Sequence, residues 1–270
     1  EIDFEDQEQL RSAVKTFQPE IIVNAAAYTL VDKAESEREL STRVNATAVG
    51  ELAEYANEHN ALLVHYSTDY VFDGDKSGRY TEEDTANPQS VYGQTKLDGE
   101  SLIRESGCKH LIFRTSWVYS DIGNNFISTI LDLASRKQSL NVIEDQIGTP
   151  TSAKLIAQIT SKVLNFYIED QLQFQQQLGT YHLSASGETN WCEYAKTIVE
   201  FASLCSDDLM LNAEDICPIP SSEYPQIATR PKNSLLDTSK LTSSFNLTLP
   251  NWKEDLGQIM PSFFACHSEV

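Results

Sequence analysis

Three short apolar runs constrain this chain more than any other feature: Glu20-Ile21-Ile22-Val23-Asn24, Leu62-Leu63-Val64-His65-Tyr66-Ser67 and His110-Leu111-Ile112-Phe113-Arg114-Thr115. Each gives way to small, polar or aromatic residues, and amphipathic stretches of helical length lie around them, at about 5–17, 43–59 and 91–106. Near-continuous apolar runs are strands buried on both faces, which is the condition of a parallel sheet whose crossovers are helices. The alternation therefore predicts an α/β fold with a doubly wound parallel sheet. In open sheets of this kind ligands bind beyond the carboxyl ends of the strands, here the residues after Asn24, Ser67 and Thr115.

After Trp117 the pattern changes. Helices are expected near 125–136, 153–169 and 190–204, with a short strand from Leu140 to Ile143 and a loop from Asp145 to Thr151. The stretch from Cys217-Pro218-Ile219-Pro220 to Arg230-Pro231 reads as an extended loop, because proline lacks the N–H that a helix interior or central strand needs.

Charge excludes some partners. Forty acidic residues against 20 basic ones give a formal charge of -20, whereas a nucleic-acid surface needs clustered Lys and Arg. No apolar stretch reaches the roughly 18 residues of a membrane span. The five cysteines, Cys108, Cys192, Cys205, Cys217 and Cys266, include no C-x-x-C pair, so reduced thiols in a cytoplasmic protein are expected. The chain opens on Glu1-Ile2-Asp3-Phe4 without a methionine, and it is expected to begin inside a longer one.

Three local features carry chemistry. Tyr92-Gly93-Gln94-Thr95-Lys96 puts a phenol and an ammonium four residues apart on a helix, hence on one face. A phenol ordinarily titrates at about 10, and a nearby cation lowers that value. Thr68, at the strand exit Tyr66-Ser67-Thr68-Asp69-Tyr70-Val71-Phe72, offers a hydroxyl that can polarise a carbonyl oxygen while a second group protonates it. Val23-Asn24-Ala25-Ala26-Ala27-Tyr28-Thr29 follows a strand with small side chains, which lets a ligand approach backbone or lets a helix pack closely. Each is weak alone: Y-x-x-x-K arises by chance, and the others also suit an ordinary turn and a packed helix.

Together they resemble the extended short-chain dehydrogenase/reductase superfamily, and within it the dTDP-4-dehydrorhamnose reductase family. The resemblance adds Val31-Asp32-Lys33-Ala34-Glu35, Phe113-Arg114-Thr115-Ser116-Trp117-Val118-Tyr119, Gly123-Asn124-Asn125-Phe126, the Asp145–Thr151 loop and Arg230-Pro231-Lys232-Asn233-Ser234. It implies a Rossmann-like dinucleotide-binding domain over residues 1–120, to which later segments return, and a smaller mixed lobe over 121–270 that mainly binds substrate. It implies reduction by NADPH or NADH of the C4 ketone of dTDP-4-dehydro-6-deoxy-L-mannose to dTDP-L-rhamnose. Tyr92 is then the proton donor, Lys96 holds the nicotinamide ribose and lowers the Tyr92 pKa, and Thr68 takes the hydroxyl role. Asp3 and Phe4 would flank the adenine, Ala26, Ala27 and Thr29 would line the cofactor path, and Asp69, Tyr70 and Trp117 would touch the sugar.

The family's G-x-x-G-x-x-G turn is not in this sequence. Roughly 30–40 residues of a βαβ unit are expected upstream, and without them the 270-residue chain is expected to bind NADPH poorly. Lys154 stands where members that bridge a dimer through a divalent ion carry Glu, so no metal is expected; a homodimer remains compatible with the resemblance. His65, His110 and His182 lack ligand spacing and read as strand residues. Two alternatives stay open: another nucleotide-sugar epimerase, dehydratase or reductase, and a non-catalytic subunit resembling the regulatory subunit of methionine adenosyltransferase.

Overall fold

The computed structural model describes residues 2–265, so Cys266 lies outside the described residues. The chain forms two compact units of nearly equal length, each assembled from three segments. The first unit holds Glu1–Thr115, Asp170–His182 and Gln226–Pro231. It begins with α1 (Gln7–Phe17), capped by the Asp6 side chain, and β1 (Ile21–Asn24). Two short helices follow, α2 (Val31–Ala34) and α3 (Arg38–Thr42), and then a π-helical turn, Arg43–Thr47, that runs into α4 (Ala48–Glu58). The stretch expected as one regular helix over 43–59 thus opens with a wider turn, a local device common at functional sites. Strand β2 (Leu62–Thr68), helix α5 (Val91–Ser106) and strand β3 (Lys109–Thr115) complete the segment.

The second unit takes over with β4 (Val118–Tyr119), α6 (Phe126–Ala134), β5 (Leu140–Ile143), β6 (Ile147–Gly148), β7 (Thr151–Ser152) and α7 (Ala153–Glu169). The chain then returns to the first unit for α8 (Gln171–Phe174) and β8 (Gly179–His182). Within the second unit lie β9 (Thr189–Asn190), α9 (Trp191–Ser203), β10 (Ile216–Ile219), α10 (Ser239–Phe245) and α11 (Trp252–Ile259). The Pro-rich stretch is not loop throughout. Ile216–Ile219 pairs in parallel with β5, Pro218 opposite Val142, in a two-stranded sheet where both strands are edges and a missing N–H is tolerated. Beyond it the chain is irregular apart from a 3₁₀ turn at Ser221–Glu223.

The first unit is organised by a four-stranded parallel sheet in the order β1-β2-β3-β8. Leu63 and Ile112 pack from it against Leu10, Val49, Leu52 and Ile103 of α1, α4 and α5. Burying each such side chain is worth about 1.5–3 kcal/mol, enough to fix register, because a one-residue slip would turn Leu63 and Ile112 to the other face. Among the described residues β1 is an edge, and its Val23 is 46% exposed. No described helix is long and apolar enough to cross a membrane.

Candidate active site

The reactive pair is positioned by the start of α5. Ser90 caps the helix by accepting the Gly93 N–H at 3.2 Å, and Gly107 ends it at φ +72. Tyr92, Lys96 and Glu100 therefore follow one another at four-residue spacing along one face. Two glycines let the helix approach backbone: a Cβ on Gly93 would lie 2.2 Å from the Tyr70 carbonyl oxygen, and one on Gly99 would lie 2.3 Å from that of Asn45, in the π-helical turn. No side chain fits at either distance.

Alternate residues of β2 meet that face. Ser67 Oγ donates to Glu100 Oε1 at 2.5 Å, and Lys96 Nζ lies 3.2 Å from His65 Nε2 while donating to the Tyr66 carbonyl at 2.6 Å. Glu100 is fully buried and holds Arg114 of β3 in a two-point pair, Nε to Oε1 at 2.9 Å and NH2 to Oε2 at 2.7 Å, with Arg104 adding a third donor. Burial acts to raise the Glu100 pKa, but Arg114, Ser67 and Arg104 together outweigh it and the carboxyl titrates below its ordinary range.

Tyr92 is half-buried and meets Tyr70 edge to face, ring centres 5.5 Å apart. Desolvation pushes its phenol well above the ordinary range; contact with the Thr68 hydroxyl draws it down, and Asp69 and Tyr70 raise it further. The resemblance implies that Lys96 lowers this pKa. In the structure Lys96 is bonded to β2 instead, and the opposing influence on Tyr92 comes from Thr68. Lys96 itself is buried, and desolvation, only partly offset by Glu100, pushes it down to about 8.

Thr68, Asp69 and Tyr70 leave β2 as a tight 3₁₀ turn in which Thr68 Oγ1 accepts the Tyr70 N–H at 3.2 Å and donates to Asp69 Oδ1 at 3.1 Å. Tyr70 is anchored from a distant segment. Its hydroxyl accepts from Arg230 NH1 at 3.0 Å, and Arg230 NH2 pairs with Asp32 Oδ2 at 2.8 Å, while Asp32 Oδ1 also takes the Ala228 N–H at 3.0 Å. Arg230 and Asp32 lie in separate motifs of the sequence, and the contact between them needs the fold.

Beyond β1, Ala26 and Ala27 are half-buried and Thr29 is exposed. Asn24 Oδ1 accepts the Ala26 N–H, and the Asn45 side chain binds both the N–H and the C=O of Tyr28. Asn45 also reaches Thr95 of α5 at 3.2 Å, so the π-helical turn ties the strand exit to the helix that carries Tyr92. Asp3 is exposed and bonds the Glu5 N–H, whereas Phe4 packs against the Leu10 cluster. Thr68, Asp69, Tyr70 and Tyr92 converge, with Lys96 one helical turn further along α5; Asn24, His65, Asn45 and Arg230 are the members that motif spacing does not reveal.

Trp117 belongs to the second unit. It sits at φ +48, a left-handed conformation that costs a non-glycine residue strain. Its indole stacks on Trp191 at 3.6 Å and 13°, and a Cβ on Gly148 would fall 2.4 Å from the ring. One face is therefore covered by protein. Among the described residues no group of three or more His, Cys, Asp or Glu is placed to hold a metal ion.

A family model described as the RmlD substrate binding domain matches residues 1–264. The dTDP-4-dehydrorhamnose reductase of Escherichia coli (strain K12) is 44% identical over 263 residues, covering 97% of this chain and 86% of its own length. The crystal structure of the Bacillus anthracis dTDP-4-dehydrorhamnose reductase in complex with NADP is 34% identical with a TM-score of 0.84, covering 96% of this chain and 86% of that one. A Clostridium acetobutylicum dTDP-4-dehydrorhamnose reductase gives 33% and 0.86 with the same coverage.

Proposed function

Because the chain belongs to the RmlD substrate binding domain family, we propose that it reduces the C4 ketone of dTDP-4-dehydro-6-deoxy-L-mannose to dTDP-L-rhamnose with NADPH. The observation that carries the reading is Tyr92 against Thr68, with Lys96 one helical turn further along α5. Support comes from the reductases that match over nearly the whole chain, one of them in complex with NADP.

The residues present suit the nicotinamide-ribose end of a dinucleotide. Lys96 Nζ has three substituent positions beyond its carbon, two of which face Tyr66 O and His65 Nε2, leaving one N–H for a ribose hydroxyl. The Ala25–Ala27 run leaves the backbone beyond β1 uncovered by large side chains. NADPH, when bound, supplies the hydride that arrives at C4.

Negative charge grows on the C4 oxygen as the carbon is reduced, and two groups answer it: Tyr92, and Thr68 once its single O–H turns from Asp69 Oδ1 to that oxygen. The raised Tyr92 pKa keeps the phenol protonated at neutral pH, so the donor is loaded before reaction begins. Thr68 contacts Tyr92 and orients the shared oxygen, while Arg230 holds Tyr70 beside them. Asp69 and Tyr70 are the groups we assign to the sugar, and Ala26, Ala27 and Thr29 those along the cofactor. The free thiols of the four described cysteines support a reducing compartment, the cytoplasm.

Replacing Tyr92 by Phe removes the proton and keeps the ring. Turnover of the full-length protein, followed as substrate-dependent NADPH oxidation, should fall by about 10²–10⁴-fold. Unchanged turnover would overturn the assignment of Tyr92, and oxidation indifferent to the dTDP-sugar would overturn the substrate.

A further inference from the structure

Behind Lys96 lies a buried chain of hydrogen bonds whose donors and acceptors, as oriented, are all matched only when Lys96 is neutral. The Ala26 N–H donates to Asn24 Oδ1 at 3.1 Å, which turns Asn24 Nδ2 toward His65 Nδ1, 3.1 Å away. An amide NH2 only donates, so Nδ1 is bare and the neutral ring carries its proton on Nε2. That Nε2–H faces Lys96 Nζ at 3.2 Å, and Nζ already donates to Tyr66 O. An ammonium there would set donor against donor; only the lone pair of the neutral amine accepts.

The ammonium form demands the mirror arrangement. Nε2 must be bare, the ring proton must sit on Nδ1, and Asn24 must present its oxygen to that proton, withdrawing it from the Ala26 N–H. We propose that His65 is a tautomeric switch and a positioning residue for Lys96, its ring proton changing nitrogen each time Lys96 gains or loses a proton. One proton is taken up in all: it enters at Nδ1 while the Nε2 proton passes to Nζ.

The surroundings fit this exchange. Burial, with the charge of Lys96, holds His65 well below its ordinary range, so the ring stays neutral in both states. The charged group facing Lys96 from its own helix is Glu100, itself paired with Arg114 of β3 and with Arg104; β1 presents only the amide of Asn24. Formation of the ammonium frees the Ala26 N–H for an acceptor oxygen on a ligand. For turnover this consequence rests on the proposed reaction, in which Ala26 lines the cofactor path; the switch itself needs no ligand.

The test uses [15N]histidine-labelled protein without cofactor or substrate, and long-range 1H–15N spectra from about pH 6 to 10. The chain has five histidines, and His65 is assigned from the signal lost in His65→Gln. The expected result is a pyrrole-like Nδ1 and pyridine-like Nε2 at the acid end that exchange characters at the alkaline end, with a midpoint near that of Lys96, about 8. Asn24→Asp, whose carboxylate accepts from both Ala26 and His65, should hold Nδ1 pyrrole-like throughout. A single His65 tautomer across the range, or an imidazolium at its acid end, would overturn the proposal. Either result would leave the Tyr92→Phe test untouched, just as full activity of Tyr92→Phe would leave the switch standing.

Discussion

Removing Glu100 tests the electrostatic frame on which the reactive helix rests. The carboxylate is fully buried, and Arg114, 5% exposed, has it as a two-point partner. Glu100→Leu fills the space but leaves a guanidinium desolvated without a counter-charge, which costs about 3–5 kcal/mol. The pair itself is worth far less, since both ions must first be dehydrated. Glu100→Leu with Arg114→Met should therefore recover most of the loss, to within about 1–2 kcal/mol of the parent, the remainder being the orphaned Ser67 hydroxyl. All three tryptophans belong to the second unit, so the measurement is urea dependence of amide exchange in β2 and β3 rather than tryptophan fluorescence. Because the Glu100 pKa is lowered on folding, the contribution is present at neutral pH and is lost as pH falls through that lowered value. A loss below about 1 kcal/mol in the single variant, or a double variant no more stable than the single, would refute the reasoning.

Two further outcomes follow from the same helix. Gly99→Ala, which in an open helix would gain about 0.5–1 kcal/mol, should here cost about 1–3 kcal/mol in thermal or urea unfolding, because the new Cβ meets the Asn45 carbonyl. Lys96→Met should stabilise the protein at neutral pH by on the order of 1–3 kcal/mol, since a lysine with a native value near 8 pays for its charge on folding. That advantage should shrink as pH rises from 8 toward the ordinary 10.5, and urea unfolding at neutral and alkaline pH would detect its absence.

Much of the frame is readable from residue order. The helix over 91–106 is bounded by Ser90 and Gly107, the three strands by their apolar runs, and the Tyr92–Lys96 spacing is a property of helix geometry. What escapes is contact set by register. Asn24 and His65 are paired residues of adjacent strands, 41 positions apart, and nothing local marks His65 as different from any buried strand histidine. The π-helical turn at Arg43–Thr47 escapes too, because its period is hidden inside a longer apolar pattern and its purpose lies in the Asn45 bonds to Tyr28 and Thr95. The strand at Ile216–Ile219 is masked by prolines that a two-stranded sheet can accept. The left-handed backbone of Trp117 is likewise a tertiary effect, imposed where Gly148 and Trp191 crowd the ring.

The Arg230 anchor has a consequence for the order in which the protein is made. Asp32 and Arg230 are separated by 198 positions, so at about 5–20 residues per second the ribosome delivers the arginine some 10–40 s after the aspartate. For the later part of that interval Tyr70 lacks its guanidinium, although α5, β2 and β3 are already complete in the nascent chain. The emerging enzyme can thus acquire its reactive pair well before it acquires the tether that steadies Tyr70, and translation halted short of residue 230 would leave that tether unmade.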